Sequence, residues 1–123
     1  MNQSTHDPQS FLPLTQPVFN ILLALADGEK HGYGIMQEID RNTGGRLRLG
    51  PGTLYGSIKR MLEDGWIEES DERPDPAHDD ERRRYYRLTE FGQRVAAAEA
   101  SRMEALVRLA HLRRLLPGIE GGG

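Results

Sequence analysis

The chain of 123 residues contains no cysteine and no long apolar run. Without cysteine it can form no disulfide framework, no thiol nucleophile and no thiolate metal site. No stretch of about 18 apolar residues is present to cross a membrane. The N-terminus also lacks the charged and then apolar regions of a secretory signal. These absences lead us to expect an intracellular, cytoplasmic protein.

Recognisable catalytic and metal-binding patterns are missing as well. The hydroxyls of Thr53 and Ser57 have no histidine or lysine base in a known motif. Glu68 and Glu69 are neighbours on a predicted strand, so their carboxylates point to opposite faces. The four histidines share no ligand spacing, and the polar run 78–81 is typical of a solvated loop rather than a zinc site. We therefore expect neither an enzyme nor a bound metal or cofactor.

Hydrophobic residues are scarce, and the charge is unevenly distributed. They make up 37% of the chain, which suffices for one domain with a modest core that a partner chain could complete. The net charge of −3 argues against an anionic partner. However, every charged side chain between residues 41 and 62 is basic, and a second basic cluster lies at 82–87. Such local clusters matter more for nucleic-acid binding than the total charge.

The stretch 49–67 is predicted to be a short helix with both ends marked. Gly50 can serve as the N-cap, Pro51 suits the first helical position, and Gly65 supplies the left-handed residue after the helix. Its apolar residues form one stripe at helical spacing: Leu54, Ile58, Met61 and Leu62. The opposite face is small and then basic, which favours close approach to an anionic partner: Gly52, Thr53, Gly56, Lys59 and Arg60, with Tyr55 on the flank.

Two helices are predicted before this stretch. Residues 1–14 are polar and have no period, so we expect them to be disordered. Helix 15–27 is apolar nearly all round, which predicts one face in the core and another against a partner subunit. In helix 31–42, whose apolar side carries Tyr33, early glycines indicate close approach to another helix. Alternating residues at 46–49 predict a short strand.

A hairpin and a long helix are predicted after it. Strands at 66–70 and 83–88 are joined by a charged loop and form a wing, with Trp66 in the core. Thr89 caps a final helix that we expect to extend over 89–117, followed by a flexible tail at 118–123. Its partial apolar stripe has no covering element, so a second copy of the chain is its simplest partner. The predicted dimer contacts are Phe19, Leu22, Val95, Met103, Leu106 and Ala110.

The predicted fold class is mainly α with a small β hairpin. The element order is that of a winged helix-turn-helix over 15–88, in which the third helix enters the major groove of DNA. The helix over 89–117 then serves for dimerisation.

At this point the residues also resemble the PadR-like transcriptional regulator family, over 18–94. The resemblance is carried by the segments 31–33, 50–55, 59–67 and 84–89. Gly56 and Gly50 stand where the family usually has proline and serine. The single C-terminal helix resembles the smaller subgroup, which implies a homodimeric repressor that is released by a small-molecule effector or another signal.

Six residues are the candidate DNA contacts. Hydroxyls can bind phosphates or bases, and the cations mostly bind phosphates. The candidates are Thr53, Tyr55, Lys59, Arg60, Arg83 and Arg84. We therefore expect a sequence-specific transcriptional regulator that binds a palindromic operator. The net negative charge leaves open an alternative, a winged-helix module that binds protein without specific DNA binding.

Overall fold

The computed structural model describes residues 7–70 and 84–117. Within these ranges no helix is long and apolar enough to cross a membrane. In chain order the elements are a 3-10 turn (Pro8–Phe11), α1 (Gln16–Ala26), β1 (Lys30–His31), α2 (Gly32–Asn42), α3 (Pro51–Glu63), β2 (Ile67–Glu69), β3 (Tyr85–Leu88) and α4 (Glu90–Leu112). This is the predicted mainly helical, winged-helix architecture.

The helix starts agree with the capping signals in the sequence. The Thr15 hydroxyl accepts a hydrogen bond from the Val18 N–H, and the Thr89 hydroxyl accepts one from the Gly92 N–H at 3.0 Å. Helix α3 begins after Gly50 with Pro51 in its first turn, and it ends before Gly65, whose φ is +77°. These local signals need no distant partner, and the predicted starts of α1, α3 and α4 and the predicted end of α3 are confirmed.

Within residues 7–70 and 84–117 the sheet has three strands, one more than the predicted hairpin. Its order is β1–β3–β2, and both pairings are antiparallel. The third strand is Lys30–His31, which lies opposite Tyr85 and Tyr86 of β3. The strand predicted at 46–49 is wrong, because the Leu47 N–H bonds to the Thr43 hydroxyl at 3.1 Å and no strand in residues 7–70 or 84–117 pairs with this segment.

The core lies between the three N-terminal helices, the sheet and the first half of α4. Its buried hydrophobic members are Ile21, Leu22, Ala24, Leu25, Ile35, Ile39, Leu54, Ile58, Met61, Trp66, Ile67, Tyr86 and Val95. The prediction that Trp66 packs in the core is confirmed. Tyr33, which was predicted on the apolar side of α2, is 56% exposed, so that placement is wrong.

Residues 7–14 pack onto the domain, so the prediction of a disordered arm over 1–14 is wrong for this part. The Phe11 ring makes edge contacts with Trp66 and Phe91, with ring centroids 5.2 and 6.0 Å apart. The Leu14 N–H donates a hydrogen bond to Glu99 in α4 at 3.2 Å. One aromatic side chain and one backbone hydrogen bond therefore hold this segment on the domain, although its sequence has no hydrophobic period. Residues 1–6, 71–83 and 118–123, which include the predicted wing loop and the predicted flexible tail, lie outside the described residues.

Helix α4 ends at Leu112, five residues before the predicted end at Pro117. Arg114 has a φ of +61°, and the Leu115 N–H bonds back to the Ala110 carbonyl at 2.9 Å. A left-handed residue with such a bond back to the last turn is a common helix end, and it stops α4 before Pro117 is reached.

Gly92 is the position in α4 at which a side chain would be least tolerated. A Cβ added there would overlap the backbone carbonyl of Trp66, with the carbonyl carbon at 2.7 Å. We expect Gly92→Ala to lower the free energy of unfolding by about 3 kcal/mol, because a backbone group cannot move aside. Urea denaturation followed by Trp66 fluorescence measures this change.

Gly56→Ala is the matched control for Gly92→Ala. A Cβ at Gly56 in α3 meets nothing within 4 Å. Alanine there should raise the free energy of unfolding by about 0.5–1 kcal/mol through helix propensity. Equal effects of the two substitutions would contradict the packing described for Gly92.

Glu99 joins α4 to the N-terminal segment and is 2% exposed. Two hydrogen bonds from the Arg102 guanidinium, at 2.7 and 2.9 Å, lower the pKa of the Glu99 carboxyl below its usual 4.5. Burial opposes this shift in the pKa, and the Leu14 N–H adds to it. A carboxyl with a lowered folded pKa stabilises the fold above its unfolded pKa and loses that contribution as the pH falls.

We expect Glu99→Gln to lower the free energy of unfolding by about 1–3 kcal/mol at pH 7. Because the contribution of the charged carboxylate disappears in acid, the difference from the unchanged protein should narrow below the unfolded pKa of 4.5. Urea denaturation at pH 7, 4.5 and 3 measures it. A difference that stays constant across this range would show that the ion pair with Arg102 contributes nothing.

Candidate nucleic-acid interface

Helix α3 has one buried and one exposed face, as its sequence predicts. Leu54, Ile58 and Met61 are at most 2% exposed and hold the helix against the core. The exposed residues on the other face are Gly52, Thr53, Gly56, Lys59 and Arg60. The packing of the apolar stripe thus turns three of the four candidate DNA contacts on α3 toward solvent, namely Thr53, Lys59 and Arg60.

The charges of Lys59 and Arg60 are uncompensated within the described ranges. Neither side chain forms an ion pair there. Arg41 and Arg48 differ, because they pair with Glu38 at 2.6 Å and with Asp40 at 3.3 Å. Free exposed cations can bind phosphate without first breaking an ion pair. The exposed acids Glu63 and Asp64 limit this basic surface at the C-terminal end of α3.

Tyr55 lies at the contact between α3 and α2. It is half-buried, and its ring packs on the backbone of Gly32, where an added Cβ would lie 2.7 Å from the Tyr55 Cζ. The predicted close approach of a glycine in α2 to another helix is therefore observed at Gly32. This packing fixes the position of the Tyr55 ring beside the exposed face of α3, while its contact with DNA stays a prediction.

The wing candidates differ from those on α3. Arg84 is half-buried and pairs with Glu69 at 3.4 Å, so part of its charge is already balanced. Arg87 on the next exposed position pairs with Glu68 at 2.9 Å. Arg83 lies outside the described residues. The structure therefore separates Arg84 from the uncompensated cations of α3.

The predicted dimer contacts fall into two groups. Leu22 and Val95 are 0% exposed within the single chain, so their assignment to an intersubunit surface is wrong. Leu22 in α1 and Val95 in α4 each belong to an apolar stripe at helical spacing, but each stripe faces the core of the same chain. Met103 and Leu106 are exposed, and Phe19 and Ala110 are half-buried.

Most of the exposed apolar surface of α4 and of the residues that follow it lies outside the predicted dimer contacts. We call the C-terminal apolar surface the set Met103, Leu106, Val107, Leu109, Leu112, Leu115 and Leu116, each at least 40% exposed. The leucines of this surface are visible in the sequence, but the predicted stripe covered only one face of the helix. It left out the apolar residues on either side of that face. Residues 7–70 and 84–117 contain no group of three or more histidine, cysteine, aspartate or glutamate side chains that could hold a metal ion. The run 78–81 lies outside those ranges.

Comparison with known proteins places this architecture among transcriptional regulators. Residues 21–98 match the model of the transcriptional regulator PadR-like family. Transcriptional regulator Rv3488 of Mycobacterium tuberculosis is 35% identical over 89 residues, which cover 72% of this chain and 77% of the relative. An uncharacterized 37.1 kDa protein in transposon TN4556 of Streptomyces fradiae is 37% identical over 86 residues. That match covers 70% of this chain but spans only 22% of the Streptomyces protein.

Solved structures share the fold at low sequence identity. A transcriptional regulator from Clostridium thermocellum superposes with a TM-score of 0.64 at 24% identity, over 77% of this chain and 86% of that one. Bacillus subtilis PadR in complex with operator DNA gives a TM-score of 0.55 at 22% identity, over 66% of this chain and 44% of that one. At such identities the likeness concerns the winged-helix fold.

Proposed function

The chain belongs to the PadR-like transcriptional regulator family, and from this premise we propose that it is a homodimeric repressor that binds a roughly palindromic DNA operator. Regulators of this family are DNA-binding transcription factors and not enzymes. We place its action in the cytoplasm, together with the DNA that it regulates.

The observation that carries this proposal is the exposed face of α3. Lys59 and Arg60 project from the helix with no ion pair in the described ranges, beside the small residues Gly52 and Gly56. Small residues let a helix approach a duplex closely, and free cations release counterions from its phosphates. Bacillus subtilis PadR, which shares the fold, has been solved in complex with operator DNA, and this supports DNA binding by this chain.

The C-terminal apolar surface supports the homodimer. Soluble monomers rarely expose so many neighbouring large apolar side chains. A second copy that packs on this surface would bury it around a two-fold axis. Two α3 helices related by that axis could enter successive major grooves about 34 Å apart, which predicts an operator with two inverted half-sites.

Release of the repressor by a small ligand or another signal is the remaining part of the proposal. It rests on the likeness of the single C-terminal helix to the smaller PadR-like subgroup. A ligand can release DNA only if it binds the DNA-free form more tightly than the DNA-bound form.

Binding of labelled duplex DNA across salt concentrations tests the proposal. The protein should bind the promoter region next to its own gene with an affinity that falls steeply as salt is added. It should bind unrelated duplex more weakly at every salt concentration. Fluorescence anisotropy measures both. Failure to bind any duplex at low salt would overturn DNA binding and favour a module that binds protein.

A further inference from the structure

The first turn of α4 is tied to the backbone that follows α3. Gly65 and Trp66 come directly after the C-cap of α3. The Thr89 hydroxyl and the Thr89 N–H donate hydrogen bonds to the Gly65 and Trp66 carbonyl oxygens, at 2.6 and 3.0 Å. The backbone of Gly92 packs on the Trp66 carbonyl. The start of α4 therefore moves together with the C-terminal end of α3.

The N-terminal segment, residues 7–14, attaches to α4 at two further points. The Phe11 ring contacts the Phe91 ring edge-on, and the Leu14 N–H donates a hydrogen bond to the Glu99 carboxylate at 3.2 Å. At about 1.5 Å per residue, Phe91 and Glu99 lie about 12 Å apart along the helix axis. Two attachments at that separation constrain the direction of α4 and not only its start.

Glu99 is the last buried residue of α4. It is 2% exposed, whereas each later residue of the helix is half-buried or exposed. The C-terminal apolar surface begins at Met103, beyond this point. Of the attachments to the N-terminal segment, the hydrogen bond between Leu14 and Glu99 therefore lies closest to the surface that we propose for the dimer.

The N-terminal segment leaves the exposed face of α3 uncovered. A groove of about 730 Å³ lies between them, with Phe11 and Leu14 on one side and Thr53 and Gly56 of α3 on the other. Phe11 reaches the end of α3 through Trp66, with ring centroids 5.2 Å apart. A change at Phe11 therefore acts on the joint between the two helices and leaves the side chains on the exposed face of α3 in place.

The angle between α3 and α4 decides how far apart two α3 helices lie in a dimer. From Gly92 to Leu109, within the C-terminal apolar surface, α4 rises by about 26 Å. A tilt of about 10° at the joint would move Leu109 by about 4.5 Å relative to α3. One base pair advances DNA by about 3.4 Å. A tilt of this size therefore shifts the preferred separation of two half-sites by about one base pair.

We propose that the N-terminal segment is a brace for α4, and that Phe11 and Glu99 are positioning residues that determine which separation of operator half-sites the dimer accepts. Neither side chain contacts DNA in this proposal, because both act through the direction of α4. The proposal rests on the proposed function, since the separation of half-sites matters only to a dimer that binds two of them.

Selection from a duplex library with about 30 random base pairs, enough for two half-sites one helical turn apart, tests the positioning role. Sequencing of the bound duplexes gives the half-site sequence and the separation between inverted copies. For the unchanged full chain we expect one separation to exceed each neighbouring separation by about tenfold or more. For Phe11→Ala we expect the same half-site sequence, with this preference reduced to about threefold or less.

Glu99→Gln and Ile39→Val are the comparison variants. Glu99→Gln weakens the second attachment by removing the charge that strengthens the hydrogen bond from Leu14, so it should reduce the preference in the same direction. It keeps the proposal testable if Phe11→Ala does not fold. Ile39→Val removes a buried methyl group from α2 and none of the brace contacts, so it should keep one separation. An equal loss of preference in Ile39→Val would attribute the effect to general stability and overturn the brace.

Distances within the DNA-free protein test the brace separately. Because the chain has no cysteine, Glu63→Cys in α3 and Arg108→Cys in α4 create two defined sites for nitroxide labels, and both positions are exposed. With an excess of unlabelled protein, double electron–electron resonance measures the distance distribution within one chain. Adding Phe11→Ala should broaden this distribution by about 4 Å, the movement of residue 108 for a tilt of about 10°. An unchanged width would overturn the brace.

The two experiments separate this proposal from the proposed function. If the unchanged protein selects no duplex or only single half-sites, the proposed DNA binding or the proposed dimer fails, and the positioning role fails with it. The label distances still decide in that case whether the segment braces α4. If the unchanged protein accepts several separations equally, or if Phe11→Ala keeps the full preference for one, the positioning role is overturned while the proposed function stands.

Discussion

Replacing both Lys59 and Arg60 by alanine should lower the affinity for duplex DNA by about a thousandfold near 0.15 M salt. The estimate follows from four lost phosphate contacts in a dimer, each of which adds about 0.9 to the slope of log K against log salt. The slope itself should therefore fall by about three to four. Both side chains are exposed and unpaired in the described ranges, so the free energy of unfolding should change little.

Anisotropy titrations at several salt concentrations measure this effect, and a variant of equal net charge controls for it. Arg94→Ala together with Arg108→Ala also removes two exposed cations, but both lie on α4. The control should keep most of the affinity and nearly the original slope. If both double variants lose the same slope, the general charge of the protein is responsible and α3 is not the binding surface.

Placing glutamates at Leu106 and Leu112 should convert the proposed dimer into a monomer. These side chains are 53% and 78% exposed in the single chain, so the monomer loses little when they change. In a dimer, each buried leucine contributes about 1.5–3 kcal/mol, and two leucines per protomer predict at least a thousandfold weaker association, or roughly 4 kcal/mol. Sedimentation equilibrium measures the association constant.

The same variant should also lose operator affinity although α3 is untouched. A monomer engages one half-site, so the gain from simultaneous binding at two half-sites is lost. Ala97→Glu with Ala100→Glu is the matched control, because both alanines are exposed on α4 before the C-terminal apolar surface. If the unchanged protein is already a monomer, this surface is not a dimer contact. The same conclusion follows if the control variant dissociates as much as the variant with glutamate at Leu106 and Leu112.

How much of the fold could be predicted depended on how local the signals are. Helix α3 was predicted with both ends because Gly50, Pro51 and Gly65 act within a few residues of themselves. The strand at Lys30–His31 was not predicted, since two residues carry no periodic pattern and the strand exists only by pairing with β3. For the same reason, the alternation at 46–49 predicted a strand that is not observed: Leu47 and Leu49 are half-buried, but the segment pairs with no strand among the described residues.

The candidate site shows the same division. The exposure of Thr53, Lys59 and Arg60 could be predicted from the apolar stripe on the other face of α3. The dimer candidates could not be sorted in this way, because the spacing of Leu22 and Val95 does not tell whether the covering surface belongs to the same chain or to another.

The sequence by itself determined the winged-helix order of elements, the face of α3 that points outward and the cations that this face carries. These follow from helical periodicity, capping and turn residues, which act over a few positions. The tertiary structure alone decided that residues 7–14 fold back onto Trp66, Phe91 and Glu99, and that a groove is left beside α3. Such contacts join residues more than fifty positions apart, and no local pattern specifies which distant surfaces meet.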